Sequence, residues 1–352
     1  MFFSIIVPVH NGAEYLESSV KSALEQNQGF YHGEDPLYEI VIVENGSSDS
    51  TPQIADELAK NSPVRVVHKK AIGLYSARQA GIEAAKGEWI VALDSDDSLR
   101  PDALSKLYSA ICKYREAGTE PDLIIYDAAG MRSAQKKLFK RSFTPDRVCT
   151  GEDIRIFKEK LCMDDSINSM WTKCISRRIA YLGNQELYLN YGEDLYQTAE
   201  YLDRAKAVVY FDEILYYYRE GAVSLSSTYS ELYLDNQKIT WGKLDEMVNK
   251  WELFEYTDII NRRKALTCTI AVTKLIYSNM LIGQKKYKLS KLLSDEFYRT
   301  YHSYELPDWA PEESAFVRKL QIADDKGSAL LINGTARSIK NWVKRRLRKG
   351  SD

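Results

Sequence analysis

Five short apolar runs rich in valine and isoleucine alternate with amphipathic stretches over the first 130 residues. The runs are SIIVPV (4–9), EIVIVE (39–44), VRVVH (64–68), EWIVALD (88–94) and DLIIYD (122–127). Continuous apolar runs of this length favour strands that are buried on both faces. Because strands and helices alternate, the pattern predicts βαβ units and a mainly parallel sheet flanked by helices.

The four stretches between these runs carry helix start and stop signals as well as helical spacing. They are AEYLESSVKSALEQ, STPQIADELAKN, GLYSARQAGIEAAKG and RPDALSKLYSAICKYREAG. Thr51 followed by Pro52 is typical of a helix start, and Gly87 and Gly118 stand where helices end. A chain of 352 residues, 44% of them hydrophobic, is long enough to form two domains.

Polar residues follow three of the predicted strands, in the segments PVHNG, VENGSSD and LDSDD. Ligands of parallel sheets bind at the carboxyl ends of the strands. The third segment crowds three carboxylates, Asp94, Asp96 and Asp97, into four positions. Asp97 or Ser98 can cap the following helix, but a cap does not account for the other two, whose charges repel. Since Mg²⁺ and Mn²⁺ bind one or two carboxylates together with phosphate oxygens, the cluster predicts a metal–diphosphate site.

Four segments resemble, in order and spacing, the signature segments of the family 2 glycosyltransferases of bacterial cell-surface polysaccharide type, inverting enzymes with the GT-A fold. The segments are SIIVPVHNGAEYLESSVKSAL, EIVIVENGSSDST, GLYSARQAGIEAAKGEWIVALDSDDSLRPDAL and YGEDLY, and the resemblance covers roughly residues 3–226. It implies a GT-A catalytic domain at residues 1–228. It also implies a nucleotide-sugar donor, most often a uridine diphosphate sugar, Mn²⁺ or Mg²⁺ as cofactor, and transfer to a hydroxyl with inversion at the anomeric carbon.

The resemblance places the nucleotide pocket on two strand ends. Pro8, Val9 and His10 stand where the family lines the base with backbone groups, and Glu44 and Asn45 follow at the next strand end. Many members have DDGS where this chain has ENGS. Glu44 therefore keeps a carboxylate that can accept from a uracil N–H, whereas Asn45 cannot act as an anion.

The DSDD motif, residues 94–97, matches the metal-binding DxD element of the family. By that match Asp96 coordinates the metal, Asp94 lies near the ribose or the water shell of the metal, and Ser95 belongs to the same donor-binding loop. Asp97 supports this group. Arg78, in a segment resembling ARNxG, contacts the diphosphate or holds the aspartate-rich loop; the alternative is an ordinary surface arginine.

The segment NYGEDLYQTAEYL, residues 190–202, matches the ED motif on the acceptor side. By that match Asp194 is the base that deprotonates the acceptor hydroxyl, and Glu193 orients the acceptor or the loop. Acidic residues also favour the first turn of a helix without any catalytic role. Trp171 is either a sugar-stacking residue or a core residue, and Arg219, like Asp97, is a candidate contact to the acceptor or the diphosphate.

From about residue 229 the sequence changes to long helical patterns, so residues 229–352 are predicted to form a helical C-terminal region. Its last segment, TARSIKNWVKRRLRKG, places Ile339, Trp342, Val343 and Leu347 on one helical stripe surrounded by basic residues. This composition is typical of a helix that lies on an anionic membrane surface. A terminal helix that packs on the protein through the same stripe is the alternative.

The charge distribution limits the class of partner. The net charge of −2 combines seven Lys or Arg against one Asp in residues 335–352 with about −8 on the remaining chain. An acidic body opposes a polyanion, which argues against a nucleic-acid partner. No apolar run reaches the ~18–20 residues that span a bilayer, which favours a soluble or peripheral protein.

The sequence thus predicts a cytoplasmic glycosyltransferase, peripheral to the inner face of the plasma membrane if the terminal helix binds it, that acts on a glycan or a lipid-linked acceptor. Two alternatives remain. A sugar-phosphate nucleotidyltransferase shares the nucleotide-binding α/β sheet, although PVHNGAEYL lacks the glycine-rich basic loop usual in those enzymes. A catalytically idle sugar-nucleotide-binding subunit is the other, and the presence of both acidic clusters argues against it.

Overall fold

The structure is a computed structural model that describes residues 1–26, 31–32, 35–184, 186–221, 228–323 and 330–332. The chain divides into two compact units, Met1–Ala222 and Val223–Asp352. The sequence predicts a division between residues 228 and 229. The predicted basic helix within residues 335–350 lies outside the described residues.

The first unit is an α/β structure with eleven described strands. In chain order they are β1 (Phe3–Val9), β2 (Tyr31–His32), β3 (Asp35–Pro36), β4 (Tyr38–Asn45), β5 (Val64–Lys69), β6 (Trp89–Ala92), β7 (Ser98–Leu99), β8 (Leu123–Gly130), β9 (Val148–Thr150), β10 (Lys173–Ser176) and β11 (Ala207–Tyr218). Strands β2 and β3 form a small separate sheet, and the other nine form the main sheet. All five strands predicted from the apolar runs are present, as β1, β4, β5, β6 and β8.

The main sheet is mixed, with the order β5-β4-β1-β6-β10-β8-β11-β7 and with β9 paired to β11. The predicted parallel arrangement holds for β5, β4, β1 and β6. Strand β10 then runs antiparallel to both β6 and β8, and β7 and β9 run antiparallel to β11. With only four residues, β10 has too short a pattern to be recognised as a strand in the sequence.

Strand β11 corrects one prediction. The segment AVVYFDEILYYYREGAVSLS indicates a pair of strands that turn near FDE, residues 211–213. In the structure β11 runs through this point as one strand, and its pairing with β8 changes register between Phe211 and Ile214 and again between Ile214 and Tyr216. A bulge inserts residues into a strand without reversing it, so the polar residues mark an irregularity and the predicted turn is wrong.

Helices cover both faces of the parallel part of the sheet. The helices of the first unit are α1 (Leu16–Leu24), α2 (Thr51–Leu58), α3 (Leu74–Ala84), α4 (Ala103–Glu116), α5 (Arg155–Met163), α6 (Arg177–Ala180) and α7 (Glu193–Arg204). Phe3, Ile5 and Val7 of β1 pack in one core cluster with the apolar residues of α1 and α4. Helix α3 packs on the opposite face of β1 and β4. Burial on both faces explains why these strands are apolar throughout.

Gly81 permits the close approach of α3 to the sheet. A Cβ atom at this position would lie 2.5 Å from Cγ2 of Ile6 and 2.8 Å from Cγ2 of Val43, both β-branched side chains with restricted rotamers. The helix therefore lies close against the strands at Gly81, one turn after Arg78. The position of that arginine depends on this contact.

The second unit is helical, which confirms the prediction for the C-terminal region. Its described helices are α8 (Leu232–Trp251), α9 (Thr257–Tyr277), α10 (Ile282–Ser294), α11 (Glu296–Tyr301) and α12 (Glu312–Ala323). Helix α9 contacts the other four and supplies Cys268, Val272, Leu275 and Ile276 to a core that it shares with α10, α11 and α12. Within the described part of the chain, no helix is both long enough and apolar enough to cross a membrane.

Replacement of Gly81 by alanine tests the contact between α3 and the sheet. Alanine normally stabilises a helix by up to ~1 kcal/mol relative to glycine. Here we expect Gly81→Ala to lower the free energy of unfolding by about 1–3 kcal/mol, because the added methyl group overlaps Ile6 and Val43. The measurement is urea denaturation followed by circular dichroism.

The matched control is Gly242→Ala in α8, where an added Cβ would have no neighbour within 4 Å. This variant should be as stable as the parent or more stable. Equal stabilisation by both substitutions would show that α3 is not in close contact with the sheet.

Candidate active site

The candidate residues of the N-terminal half meet at one edge of the sheet. Strands β1, β4 and β6 are parallel, and they end at Val9, Asn45 and Ala92, just before the aspartate-rich loop. The edge is joined by side chains, since Nδ1 of His10 lies 2.9 Å from the carbonyl oxygen of Asn45. The architecture therefore brings the predicted nucleotide residues and the DSDD loop to the same end of the strands.

Glu44 and Asn45 both hold loop backbone at this edge. Oε1 of Glu44 accepts from the Ser47 N–H at 2.6 Å. Burial opposes its charged form, but the hydrogen bonds from the Ser47 N–H and hydroxyl hold the pKa of the Glu44 carboxyl below its usual value. Oδ1 of Asn45 accepts from the Ile72 N–H at 2.9 Å. Asn45, which stands where many family members have the second aspartate of DDGS, thus accepts this hydrogen bond with its amide oxygen.

Pro8 and Val9 present backbone at the same place. They are buried in β1 and stand opposite Val43 and Glu44 of β4. His10, the next residue, is exposed. The first strand thus ends with two buried residues and an exposed imidazole beside Asn45.

Arg78 joins the two acidic clusters. Its side chain is 1% exposed, so it is not an ordinary surface arginine. Nη1 donates to Oδ1 of Asp194 at 3.2 Å and to Oε1 of Gln197 at 2.6 Å, and Nη2 lies 3.5 Å from Oδ1 of Asp94. Burial opposes the charged guanidinium, but the carboxylates of Asp194, Asp94 and Glu193 raise its pKa. One cation therefore links the aspartate-rich loop to the start of α7.

The carboxylates of the DSDD loop are crowded. Asp94 keeps 30% of its side chain exposed. Burial raises the pKa of Asp94 to about 6, with further contributions from repulsion by Asp194 and Asp96, while Arg78 acts in the opposite direction. Burial also raises the pKa of the Asp96 carboxyl. A raised pKa means that the charged carboxylate is disfavoured, and a nearby cation would stabilise it. The cluster therefore has negative potential that its protein neighbours do not fully compensate.

The donor set of this loop fits a hard divalent cation. Asp94 and Asp96 offer carboxylate oxygens, which Mg²⁺ and Mn²⁺ prefer. In the part of the chain that the structure describes, no group of three His, Cys, Asp or Glu side chains is placed to hold a metal ion by itself. A cation here would need further oxygen ligands from water or from a bound phosphate.

Asp97 is anchored inside the protein and does not cap α4. It is buried, and its two oxygens accept from the Tyr216 hydroxyl and from the Arg219 N–H, both at 2.7 Å. Burial raises the pKa of Asp97 to about 7, and the charge of Asp94 adds to the shift. The capping interpretation is wrong for Asp97 and also for Ser98, because Ser98 lies in β7 and α4 begins five residues later, at Ala103.

The side chain of Arg219 contacts the backbone of the DSDD loop. Its Nε donates to the carbonyl oxygen of Asp96 at 2.6 Å, and its guanidinium lies 4.9 Å from the ring centroid of Tyr15. Ser95 of this loop lies near Gly12, where an added Cβ would lie 3.3 Å from the Ser95 Oγ. The DSDD loop is therefore held between β11 and the segment that precedes α1.

Trp171 belongs to an aromatic stack. Its ring is buried and lies 4.8 Å from the ring of Tyr216 with an interplanar angle of 20°, and it also stacks on Tyr218 and Phe139. The stack supports Tyr216, which in turn holds Asp97. Trp171 is thus connected to the DSDD loop through one tyrosine.

Glu193 and Asp194 form the first turn of α7, directly after Gly192, whose φ of +80° is readily adopted by glycine. The side chain of Asp194 is 25% exposed, whereas Glu193 is 8% exposed. Burial raises the pKa of Glu193 to about 8, and repulsion by Asp194 contributes. The pair therefore divides into a buried acid with a raised pKa and a partly exposed acid that pairs with Arg78.

The loop before α7 is attached to the first turn of α3. Oδ1 of Asn190 accepts from the Leu74 N–H at 2.7 Å, the carbonyl oxygen of Leu189 accepts from the Tyr75 N–H at 3.0 Å, and the Ser76 hydroxyl donates to Leu187. These bonds set the start of α7 relative to the helix that carries Arg78.

Four site residues escape sequence reasoning: Gln197, Asn190, Tyr216 and Lys173. Gln197 follows Asp194 by three positions on one helix face, which is a usable signal. Lys173 is buried and donates to the carbonyl oxygens of Ile167, Asn168 and Ser169, at 2.6–3.0 Å. Nothing in its local sequence indicates that contact, because it depends on a loop fold.

Known proteins resemble this chain over the region that carries the site. Residues 4–174 match the family model described as Glycosyl transferase family 2. The chain is 38% identical over 127 residues to the putative glycosyltransferase EpsH of Bacillus subtilis (strain 168), covering 36% of this chain and 33% of EpsH. It is 27% identical over 234 residues to the uncharacterized glycosyltransferase EpsJ of the same organism, covering 63% and 62%. The chain thus spans about a third of the first of these relatives and under two thirds of the second.

The fold has a counterpart among solved structures. The crystal structure of S. aureus TarS 1-349 in complex with UDP-GlcNAc superimposes with a TM-score of 0.51 and 18% sequence identity, covering 99% of this chain and 92% of that chain. At this identity the likeness concerns the fold alone, and it confirms the predicted GT-A architecture with a helical C-terminal region. Over residues 4–174, which carry most of the site, this chain is thus similar in sequence to the family 2 glycosyltransferases.

Proposed function

We propose that this chain transfers a sugar from a nucleoside diphosphate sugar to a hydroxyl group of a glycan or lipid-linked acceptor, with inversion at the anomeric carbon. The observation that carries the proposal is the buried Arg78, which holds Asp94 of the DSDD loop and Asp194 of α7 in one cluster. A donor-binding acid and an acceptor base must lie on either side of the same reacting carbon. A shared guanidinium is one way to hold them there.

The donor side is assigned to the edge formed by β1, β4 and the DSDD loop. Pro8, Val9 and His10 would line the base together with Glu44 and Asn45. Uridine is the proposed base, because Glu44 offers a carboxylate acceptor and because TarS, which shares the fold, was solved with UDP-GlcNAc.

Asp96, with Asp94 beside it, would hold Mn²⁺ or Mg²⁺ through carboxylate oxygens. When bound, such a cation stabilises the negative charge that the departing nucleoside diphosphate accumulates. The chain itself keeps these carboxylates in place: Arg219 holds the backbone of Asp96, and Arg78 faces Asp94.

The acceptor side is assigned to α7. Asp194 would take the proton from the acceptor hydroxyl as the oxygen attacks, because it is the partly exposed carboxylate of its pair. Glu193 is buried, and burial raises its pKa, which suits a hydrogen-bond donor that positions the loop better than it suits a base. Arg78 then acts as a positioning residue that sets Asp194 relative to Asp94.

A panel of nucleotide sugars tests the activity. We expect release of a nucleoside diphosphate from a uridine diphosphate sugar in the presence of Mn²⁺ and a suitable acceptor, and loss of release after addition of EDTA. Detection of pyrophosphate from a nucleoside triphosphate and a sugar phosphate would instead identify a nucleotidyltransferase. Binding of nucleotide sugars without turnover on any acceptor would identify an idle subunit.

Two aspartate substitutions separate the proposed roles. Asp96→Asn should weaken Mn²⁺-dependent donor binding at least tenfold, since a neutral amide is a poor ligand for a hard cation. Asp194→Asn should preserve donor binding and reduce transfer by about 10²–10⁴-fold, the usual contribution of a general base. Isothermal titration calorimetry and a transfer assay provide the two readouts.

Asp203→Asn, on the same helix as Asp194, is the matched control and should change neither quantity. Undiminished donor affinity in the Asp96 variant would refute the metal assignment. A normal transfer rate in the Asp194 variant would require another base.

The burial of Glu193 predicts a pH dependence of stability. Its pKa in the folded protein is about 8, above the usual value of 4.5, so the folded state holds a proton that the unfolded state releases. The free energy of unfolding should therefore fall as pH rises from about 5 to 8. Glutamine does not ionise, so Glu193→Gln should not lose stability in this way. We expect the free energy of unfolding of the variant, relative to that of the parent, to rise by about 1–3 kcal/mol between pH 5 and pH 8.

Denaturation curves at pH 5 and pH 8 provide the measurement. Glu17→Gln, which removes an exposed carboxylate of α1, is the control. If Glu193→Gln and the parent show the same pH dependence, Glu193 does not hold a proton in the folded state.

A further inference from the structure

A second pocket lies within the helical unit and involves none of the proposed catalytic residues. Its volume is about 250 Å³, and its walls come from the segment before α8, the first turn of α8, the C-terminal third of α9 and residues 287–295 in and just after α10. Pockets for drug-sized ligands occupy roughly 300–1,000 Å³, so this one fits a single small ring. Leu234, Ala271 and Leu292 contribute apolar surface to the lining.

Three tyrosines line this pocket: Tyr229, Tyr233 and Tyr287. Tyr287 is 72% exposed, an unusual position for a large aromatic side chain on a helix surface. Phenol rings provide flat apolar faces together with a hydroxyl that hydrogen-bonds. A ligand with an apolar face and polar edges, such as a sugar ring, matches that combination.

The lining carries equal numbers of basic and acidic side chains, and one further lysine pairs with two of the acids. Lys274, Lys288 and Lys291 line the pocket, and the lining acids are Glu231, Asp235 and Asp295. Each acid already has an ion-pair partner: Glu231 pairs with Lys288, and both aspartates pair with Lys238, which stands beside the pocket. With Lys238 included, four lysines stand against three acids, and this excess of one positive charge complements a ligand with a single anionic group.

The ammonium groups are placed beside the rings. Nζ of Lys274 lies 4.1 Å from the ring centroid of Tyr233, and Nζ of Lys288 lies 6.0 Å from that of Tyr229. Burial lowers the pKa of Lys274 to about 8. An anion bound in the pocket would offset that cost of burying a charge.

We propose that this pocket binds one anionic sugar unit, a ring that bears a phosphate or a carboxylate group. The inference rests on the proposed function for its biological meaning, since a transferase that extends a glycan gains from holding a second unit of its acceptor. The binding chemistry itself rests on the lysines and tyrosines of the pocket.

Protection of the pocket lysines tests the proposal on the full chain. Lysines are acetylated with a limiting amount of acetic anhydride, and mass spectrometry reports each rate. Glucose 6-phosphate and glucuronate are the two anionic probes. Glucose, a sugar without an anionic group, and inorganic phosphate, an anion without a sugar, are the two controls. UDP and Mn²⁺ are present throughout to fill the proposed donor site.

We expect at least one anionic sugar to slow acetylation of Lys274 and Lys291 severalfold while Lys60, an exposed lysine of the first unit, is unaffected. Which probe protects distinguishes a phosphate from a carboxylate ligand. Protection by inorganic phosphate as strong as that by the sugars would overturn the sugar assignment, and protection by none of the four would overturn the site.

Variants at exposed positions provide the second readout. Tyr287→Ala and Lys291→Glu should each weaken binding of the protecting sugar at least fivefold in calorimetry, whereas Lys286→Glu, one position before Tyr287 on α10 and outside the pocket lining, should not. Equal affinity in all three variants contradicts the proposal. Nucleoside diphosphate release measured on the same samples reports the proposed function separately, so the failure of one does not imply the failure of the other.

Discussion

The guanidinium of Arg78 is the interaction on which the rest of the site depends. It is buried between carboxylates that lie 100 positions apart in the chain, Asp94 and Asp194. A buried charge is tolerated when it is paired and hydrogen-bonded, and here the pairing is distributed over two structural elements. Arg78 also bonds Gln197, so the DSDD loop and α7 share one buried cation that has several partners.

Much of the fold follows from local pattern. The five apolar runs form strands, because strands covered on both faces need continuous apolar sequence. The four amphipathic stretches form helices, because each has one apolar face that packs on the sheet. Because ligands bind at the carboxyl ends of parallel strands, the sequence also predicts that Val9, Asn45 and the DSDD loop lie at the same end of the sheet. The contact between Arg78 and the DSDD loop could also be predicted, because holding that loop is one of the two roles that the family resemblance implies for Arg78.

Other parts depend on contacts that no local pattern encodes. The bulge in β11 sets the register that brings Tyr216 to Asp97, yet its sequence resembles a turn. The internal role of Asp97 is equally hidden, because a carboxylate six residues before a helix can resemble a cap. The carbonyl contacts of Lys173 arise only when the loop at residues 167–169 has folded around it.

Strand β10 has a consequence for the order in which the sheet can be completed. It is the link between β6 and β8, and it is made from residues that follow both in the chain. During synthesis β6 and β8 therefore each present an open edge until residue 176 is available, and open edges invite pairing with other chains. The family match ends at residue 174, inside β10. A fragment cut at that boundary would retain Asp94 and Asp96. It would lack Asp194 and the last two residues of β10, the strand that joins β6 to β8.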